Sequence, residues 1–230
     1  MKILSWNIRQ GGGSRIPAIL TMLKKENPDI ICLNEWHNNK SGLQLQIALL
    51  RMGYTYQVVS AAKSNDNTAF ICSKYPCSSE LYKGIDDNYD ANVVTASYDA
   101  FDVHSVYFPH KKKHQLFDLF ENWKTRDRPQ IIVGDYNTGI NGIDQKGNSF
   151  WYQDEFINLS QLGFVDAFRY SNEDIQEYSW YSHQGNGFRY DQNFVSQSLI
   201  PVVQDCKYLH QYREEKISDH SPMLLTLGSN

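Results

Sequence analysis

Short apolar runs recur along this chain, each too short for a buried helix and each followed by turn residues or by an amphipathic stretch of helix length. Ile3 to Ile8 ends in Gln10-Gly11-Gly12-Gly13-Ser14, and a helical pattern follows over Ile16 to Lys25 with Pro17 tolerated in its first turn. Pro28-Asp29 leads into Ile30-Ile31-Cys32-Leu33, which reads as a buried strand. Ser41 to Met52 is amphipathic, with Leu43, Ile47 and Leu50 on one face and Gly53 placed to end it. Strand patterns cover Tyr56 to Ser60, Ala69 to Cys72, Val93 to Tyr98 and Phe101 to Tyr107. A helix is expected over His114 to Trp123, a strand over Ile131 to Val133, and a helix around Phe150 to Leu162 that ends at Gly163. Two or three further strands close the chain, the last over Met223 to Leu227. With 230 residues and no linker, repeat or low-complexity segment, the expectation is one mixed α/β domain over residues 1–230.

Composition narrows the class without naming a chemistry. The chain is 41% hydrophobic and 21% charged, as ordinary globular proteins are, and no apolar run reaches membrane-spanning length. Polar Ser5, Asn7 and Arg9 interrupt the N-terminal apolar run before a signal-peptide core can form, so a cytoplasmic enzyme without membrane contact is expected. Cys32, Cys72, Cys77 and Cys206 are far apart with no C-x-x-C pair, which argues for reduced, buried thiols and against a zinc site. A formal charge of −4 gives no global attraction to nucleic acid, but a local basic patch suffices for phosphate binding.

The informative feature is where carboxylates and amides fall. Asn7 follows Ile3-Leu4, Glu35 follows Ile30 to Leu33, and Asp135 with Asn137 follows Ile131 to Gly134. Asp191 lies in Phe188-Arg189-Tyr190-Asp191, and Asp219-His220 precedes the last strand. Strand ends on one edge of a sheet converge. Acidic groups that converge repel one another unless a cation sits among them, and hard oxygen donors without cysteine suit Mg²⁺ or Mn²⁺. Taken one at a time, each residue is equally a solvated loop charge, a turn or a cap; it is their joint order that points to a site.

That order resembles the endonuclease/exonuclease/phosphatase superfamily, in particular its exonuclease III-like branch of AP endonucleases. The segments that carry the resemblance are Ser5-Trp6-Asn7-Ile8, Pro28-Asp29-Ile30 through Asn34-Glu35, Tyr107-Phe108-Pro109, Gly134-Asp135-Tyr136-Asn137, Tyr178-Ser179-Trp180, Gly187-Phe188-Arg189-Tyr190-Asp191 and Ser218-Asp219-His220-Ser221-Pro222. The resemblance implies a four-layer α/β sandwich of two packed mixed β-sheets flanked by helices. It also implies a metal-dependent phosphoesterase, with a DNA endonuclease or exonuclease as its leading specialisation. The segments around Asp135 are shorter than in repair nucleases of this branch, which weighs against tight duplex binding and abasic-site specificity.

Phosphodiester hydrolysis needs an activated water, shielding of the phosphate and stabilisation of the departing alkoxide. On the resemblance, Glu35 assisted by Asn7 holds the divalent ion, with Asp219 as an additional ligand. Asp135 activates the water, and Asn137, two residues on and on the same side of an extended segment, clamps the phosphate. His220, as an imidazolium oriented by Asp191, binds the developing charge. Tyr107 contacts the phosphate or assists the leaving group.

Substrate contacts are expected from Arg9 beside the glycine loop, from Lys111 and Lys112 within His110-Lys111-Lys112-Lys113-His114, and from Trp180 and Arg189. Plainer readings stand beside these: a solvated helix start for the lysines, a tight turn for the glycines, core packing for Trp180. Three functions follow: a nuclease acting on nucleic acid, DNA above all; a phosphatase or phosphodiesterase on a small phosphate ester or lipid head group; and a catalytically silent binding module. A monomer is expected.

Overall fold

The computed structural model describes residues 1–60, 62–81, 91–173 and 175–228. Two six-stranded sheets dominate it. The first contains β1 (Lys2–Asn7), β2 (Ile30–Trp36), β3 (Tyr56–Val59), β4 (Thr68–Ser73), β13 (Val203–Tyr208) and β14 (Met223–Leu227), in the order β13-β14-β1-β2-β4-β3. The second contains β5 (Ser78–Leu81), β6 (Val93–Ser97), β7 (Asp102–Tyr107), β8 (Gln130–Asp135), β9 (Phe164–Asp166) and β12 (Asp191–Ser196), in the order β5-β6-β7-β8-β12-β9. A small ribbon pairs β10 (Trp180–Tyr181) with β11 (Gly187–Phe188). The helices are α1 (Ile16–Glu26), α2 (Lys40–Arg51), α3 (His114–Lys124), α4 (Gln153–Gln161), α5 (Ala167–Ser171) and α6 (Gln211–Glu214). None is long and apolar enough to cross a membrane.

Each sheet is mixed, with one parallel pair, β1–β2 in the first and β7–β8 in the second, among antiparallel neighbours. Successive side chains on a strand point to opposite faces. Ile3, Ile30, Cys32 and Ile71 of the first sheet therefore meet Val103, Ile131, Val133 and Val195 of the second in one buried inter-sheet layer. Their alternates Leu4, Trp6, Ile31 and Leu33 pack outward with Ile19, Leu23, Leu45 and Leu49 of α1 and α2. On the far side Ile132 and Phe194 pack with Phe120, Trp123 and Phe156 of α3 and α4. Helix, sheet, sheet, helix: the four-layer α/β sandwich expected from the resemblance is the fold. Covering both faces explains why the central strands read as unbroken apolar runs.

Two details depart from the sequence reading. Leu43, Ile47 and Leu50 of α2 are exposed, and Leu45 and Leu49 are the buried pair. The cause is Gly42: a Cβ there would lie 1.9 Å from the His37 carbonyl oxygen and 2.9 Å from the Trp36 ring, so the helix docks through its glycine side and turns Leu45 and Leu49 inward. The helix expected from Phe150 begins instead at Gln153, because Tyr152 is left-handed (φ 66°) and Phe150 belongs to a separate aromatic cluster with Phe188 and Tyr190.

Candidate active site

Because β1 and β2 run parallel and pair Asn7 with Asn34, their C-terminal ends lie side by side. The parallel pair β7–β8 sets Tyr107 beside Asp135 in the same way, and antiparallel β12 begins with Asp191 opposite Asp135. The segment before β14 is drawn in by two buried bonds, Trp6 Nε1 to the His220 carbonyl at 2.9 Å and Ser218 Oγ to the Asn7 carbonyl at 2.7 Å. Six polar residues from both sheets thus converge at one edge of the sandwich: Asn7, Glu35, Tyr107, Asp135, Asp191 and His220.

Asn7 is the joint between the sheets. Its Nδ2 donates to Asp135 Oδ2 at 2.9 Å and to Glu35 Oε1 at 3.2 Å, while its Oδ1 accepts from the backbone N–H of Arg9 at 2.9 Å. Its amide hydrogens thus hold two carboxylates that would otherwise repel each other, and its oxygen keeps a second lone pair.

Glu35 occupies a bulge, marked by the register shift between Asn34 and Trp36, and has φ 54°, an uncommon conformation for a non-glycine residue. The bulge is held by the loop after β1, where residues 9–13 all have positive φ. Gln10 N–H donates to Glu35 Oε2 at 2.8 Å and Gly11 N–H donates to the Glu35 carbonyl at 2.7 Å. A Cβ on Gly11 would lie 3.0 Å from the His37 ring. The loop of residues 9–13 is thus a tight turn, two of whose amides, those of Gln10 and Gly11, are given to Glu35.

Asp135 is fully buried and held on every side. Asn7 donates to Oδ2, the Asn137 N–H donates to Oδ1 at 2.9 Å, and the Asp135 N–H donates to Asn34 Oδ1 at 3.0 Å. Gly134, just before it, has φ 149°, and a Cβ there would lie 1.8 Å from the Val106 carbonyl oxygen. Only glycine lets β8 approach β7 this closely. Asn137 is left-handed (φ 49°) and bonds Phe108 O through Nδ2 at 2.9 Å. It therefore does not continue an extended segment with Asp135 as the spacing suggested, and reaches the site through a turn, with one amide N–H still available for a ligand.

His220 Nδ1 meets Asp191 Oδ2 at 2.7 Å, and its Nε2 faces Asp135 Oδ2 at 4.0 Å. Burial alone would lower the His220 pKa, but the Asp191 charge and hydrogen bond, with Asp135 and Asp219 behind them, outweigh it and raise it to about 10. The imidazole is accordingly a cation at neutral pH, with Nδ1–H on Asp191 and Nε2–H turned towards Asp135. For Asp135 burial is the largest influence and raises its pKa, reinforced by Asp191, against the lowering effects of His220 and the Asn7 and Asn137 hydrogen bonds. Asp191 is positioned in turn: Ser179 Oγ accepts its N–H at 3.1 Å, and Tyr208 O–H donates to its carbonyl at 2.6 Å.

Four contributors escaped the sequence reading. Asn67 Nδ2 donates to the Tyr107 hydroxyl at 3.3 Å and its Oδ1 meets His37 Nε2 at 2.7 Å. The Tyr107 hydroxyl donates onward to Glu35 Oε1 at 3.4 Å, so His37, Asn67, Tyr107 and Glu35 form one chain of polar contacts. Burial first, then the charges of Glu35 and Asp135, raise the Tyr107 pKa and keep it a phenol. Ser179 is the third contributor. The fourth, Lys113, was expected to belong to a solvated or backbone-tracking lysine run. It is instead buried, with Nζ donating to the carbonyls of Tyr136 at 2.9 Å and Asn137 at 2.7 Å, and burial lowers its pKa to about 7. Lysine, asparagine and serine are too common in loops for composition to have singled these out.

The remaining expected residues divide. Arg9 is exposed with its Nε 3.7 Å from Asp219 Oδ2, and Trp180 Nε1 lies 3.4 Å from that same oxygen, so these three border the cluster. Lys111 Nζ lies 5.0 Å from the centre of the Trp151 ring, and Lys112 donates its backbone N–H to the Tyr152 hydroxyl at 2.7 Å; both lysines are exposed. Arg189 corrects the expectation of a substrate contact. It is buried, with Nε on Asp144 at 2.7 Å and Nη2 on Asp166 at 2.5 Å, and its guanidinium lies over the Phe168 ring. A cation committed to two carboxylates inside the protein cannot turn to a ligand. Next to the cluster opens a cavity of about 330 Å³ lined by Asn137, Phe150, Trp151, Trp180, Phe188 and Tyr190 among others.

Two donor sets could hold a metal. Oxygen and nitrogen atoms of Asp135, Asp191 and His220 lie within 4.8 Å of one another. In that set His220 Nδ1 is hydrogen-bonded to Asp191 Oδ2. The second set is the partly exposed Glu35 with the buried Asp135, brought together by the Asn7 amide. Hard oxygen donors without thiolate fit a Mg²⁺-like ion; the four cysteines are free, and Cys32, Cys72 and Cys206 are buried.

Comparison with known proteins gives the family and the fold. The sequence profile of the Endonuclease/Exonuclease/phosphatase family matches residues 4–220. The exodeoxyribonuclease of Bacillus subtilis (strain 168) is 27% identical over 99% of this chain and 100% of its own length. The DNA-(apurinic or apyrimidinic site) endonuclease of Dictyostelium discoideum is 27% identical over 100% of this chain and 71% of its own. Among solved structures, an AP endonuclease from Archaeoglobus fulgidus superposes with a TM-score of 0.85 and a 3′ phosphatase from Neisseria bound to product DNA hairpin with 0.87. Both are 22% identical with complete (100%) coverage of each chain, and so share the fold.

Proposed function

The chain belongs to the endonuclease/exonuclease/phosphatase family, and on that premise we propose that residues 1–230 act as one catalytic domain, a Mg²⁺- or Mn²⁺-dependent nuclease that hydrolyses DNA phosphodiesters. The observation that carries this reading is the opposition of two pairs. Glu35 and Asp135 are joined by Asn7, and the His220–Asp191 pair faces them with 4.0 Å between His220 Nε2 and Asp135 Oδ2. Anionic oxygens on one side and an imidazolium on the other suit a phosphate whose charge grows as water attacks it.

In this reading Glu35, with Asp219 as an additional ligand, would hold the divalent ion, which would supply polarisation of the phosphate and neutralisation of the departing oxygen. Asp135 accepts the proton of the attacking water as its oxygen bonds to phosphorus and the bond to the leaving alkoxide breaks. Its raised pKa makes it a stronger base than a solvated carboxylate while still leaving an ionised fraction near neutral pH. His220 donates from Nε2 to a non-bridging oxygen, with Asp191 holding the ring. Asn137 offers its remaining amide N–H to the phosphate, and Tyr107, kept protonated, is the donor nearest Glu35. Arg9 and Trp180 flank the substrate.

The nuclease names of the relatives favour a polymer; a cytoplasmic monomer is part of the same proposal. The adjoining cavity, about 330 Å³, favours the second reading, a phosphatase on a small phosphorylated molecule that it would enclose. Salt separates them. Hydrolysis of a labelled oligonucleotide with Mg²⁺ is expected to lose apparent affinity steeply between 50 and 200 mM salt, by about ten-fold or more, as phosphate contacts compete with counterions. A shallow slope on every strand tested, with fast release of phosphate from small monoesters, would replace the nuclease reading with the phosphatase one.

A further inference from the structure

Trp151 stands out at the mouth of the cavity because 58% of it is exposed, although the segment carrying it is firmly built. Its neighbour Phe150 is buried against Phe188 and Tyr190, with ring centroids 5.7 and 5.8 Å away. The Trp151 carbonyl accepts the Thr138 hydroxyl at 2.5 Å, and Asn141 Oδ1 accepts the Phe150 N–H at 2.6 Å. The backbone that carries the exposed indole is therefore held on both sides. Lys111 Nζ lies over one face of the ring, 5.0 Å from its centre, and the His110 ring is 6.0 Å away. Asn137, the residue two after Asp135, lines the same cavity.

A single exposed aromatic is ordinary on a protein surface. One carried on a fixed backbone, at a cavity that Asn137 also lines and accompanied by a lysine, matches what nucleic-acid strands need. A π face receives a base, and a cation meets the adjoining phosphate. We infer that Trp151 is a stacking platform for one unpaired base beside the scissile phosphate, so that the preferred substrate carries a single-stranded nucleotide at that position. The inference rests on the nuclease reading and adds to it the class of strand that is selected. A base paired inside a duplex is stacked on both neighbours and has no face to offer Trp151.

The test is binding of a fluorescent single-stranded oligonucleotide, by anisotropy with Mg²⁺, to the Asp135→Asn protein, whose cutting is expected to be slow on the timescale of the titration. The same titration is made on Asp135→Asn proteins that also carry Trp151→Ala or Trp151→Phe. A stacked base contributes enough that Trp151→Ala is expected to weaken binding about ten-fold, with Trp151→Phe retaining most of the affinity. The salt slope should be unchanged, because no phosphate contact is lost. Scanning a single base-less nucleotide along the strand should then reveal one position where base removal weakens binding to the protein that keeps Trp151 and has no effect with Trp151→Ala. Equal affinity with and without the Trp151→Ala substitution, or base removal equally costly in both proteins at every position, overturns the inference while leaving the nuclease standing. Failure of the unsubstituted enzyme to cut any strand overturns the nuclease reading and the platform with it.

Discussion

The Asn7 amide donates to the Asp135 carboxylate at 2.9 Å, joining the ends of two strands that lie 128 residues apart and in different sheets. Through the same nitrogen it reaches Glu35 at 3.2 Å. Replacing Asn7 by Ala is expected to release both carboxylates, reducing turnover and raising the Mg²⁺ concentration needed for half-maximal rate by about 10- to 100-fold each, the usual cost of losing a supporting group at a metal site. Metal titrations of the rate check this; an unchanged metal requirement would show that Asn7 serves the fold alone.

The Asp191–His220 pair predicts a pH profile. Activity needs Asp135 ionised and His220 protonated, so the rate rises as pH climbs through the Asp135 pKa and falls only when His220 loses its proton, near pH 10. In Asp191→Asn the carboxylate that raises the His220 pKa is gone, and the alkaline fall should move towards neutrality, with maximal turnover down by about 10²-fold or more. Rate measurements from about pH 5 to 10.5 decide it. An alkaline limb at the same pH in both proteins would separate His220 from the reaction.

How much of this was legible beforehand differs between fold and site. The buried strands and their carboxylate endings read clearly because both periodicity and position repeat: Ile30 to Leu33 before Glu35, and Ile131 to Val133 before Asp135. That these ends belong to two sheets facing each other follows from pairings far apart in sequence, which no local pattern encodes. Lys113 and Arg189 were misread for a common reason. A basic residue in a polar run looks solvated or ligand-facing, and only tertiary structure supplies the carbonyls of Tyr136 and Asn137 or the carboxylates of Asp144 and Asp166 that draw it inside. The α2 face was misassigned because Gly42, invisible to a hydrophobicity pattern, decides which side docks.

Arg189 gives a stability prediction from this network. Burial disfavours its charge, but Asp166 and Asp144 more than compensate and hold it protonated. Arg189→Met leaves those two carboxylates without their buried cation and should destabilise the fold by about 3–5 kcal/mol. Urea titration measures this. A loss below about 1 kcal/mol, within the range of exposed ion pairs, would contradict it.

His104 makes folding sensitive to acid. It is fully buried, stacks on Trp123 with a centroid distance of 4.0 Å, and bonds Thr95 and Gln130 through its two nitrogens. Burial, only partly offset by the Gln130 hydrogen bond, lowers its pKa from 6.5 to about 4. The unfolded chain therefore takes up the proton first. The contribution is complete above about pH 6.5 and is lost as pH falls towards about 4. His104→Gln removes this titration, so the stability gap between wild type and variant should narrow by up to about 3 kcal/mol between pH 7 and 4. Parallel stability curves across that range would rule His104 out as the source.

The central claim, a divalent ion and Asp135 acting together on a phosphodiester, is tested most directly by one comparison of initial rates. Hydrolysis of a labelled single-stranded oligonucleotide is followed for the wild type and Asp135→Asn, each with Mg²⁺ and with EDTA. The account predicts cutting by the wild type with Mg²⁺, none with EDTA, and a rate about 10²- to 10⁴-fold lower for Asp135→Asn with Mg²⁺, the range associated with loss of a general base. Cutting that survives EDTA, or an Asp135→Asn rate within a few-fold of wild type, would contradict it.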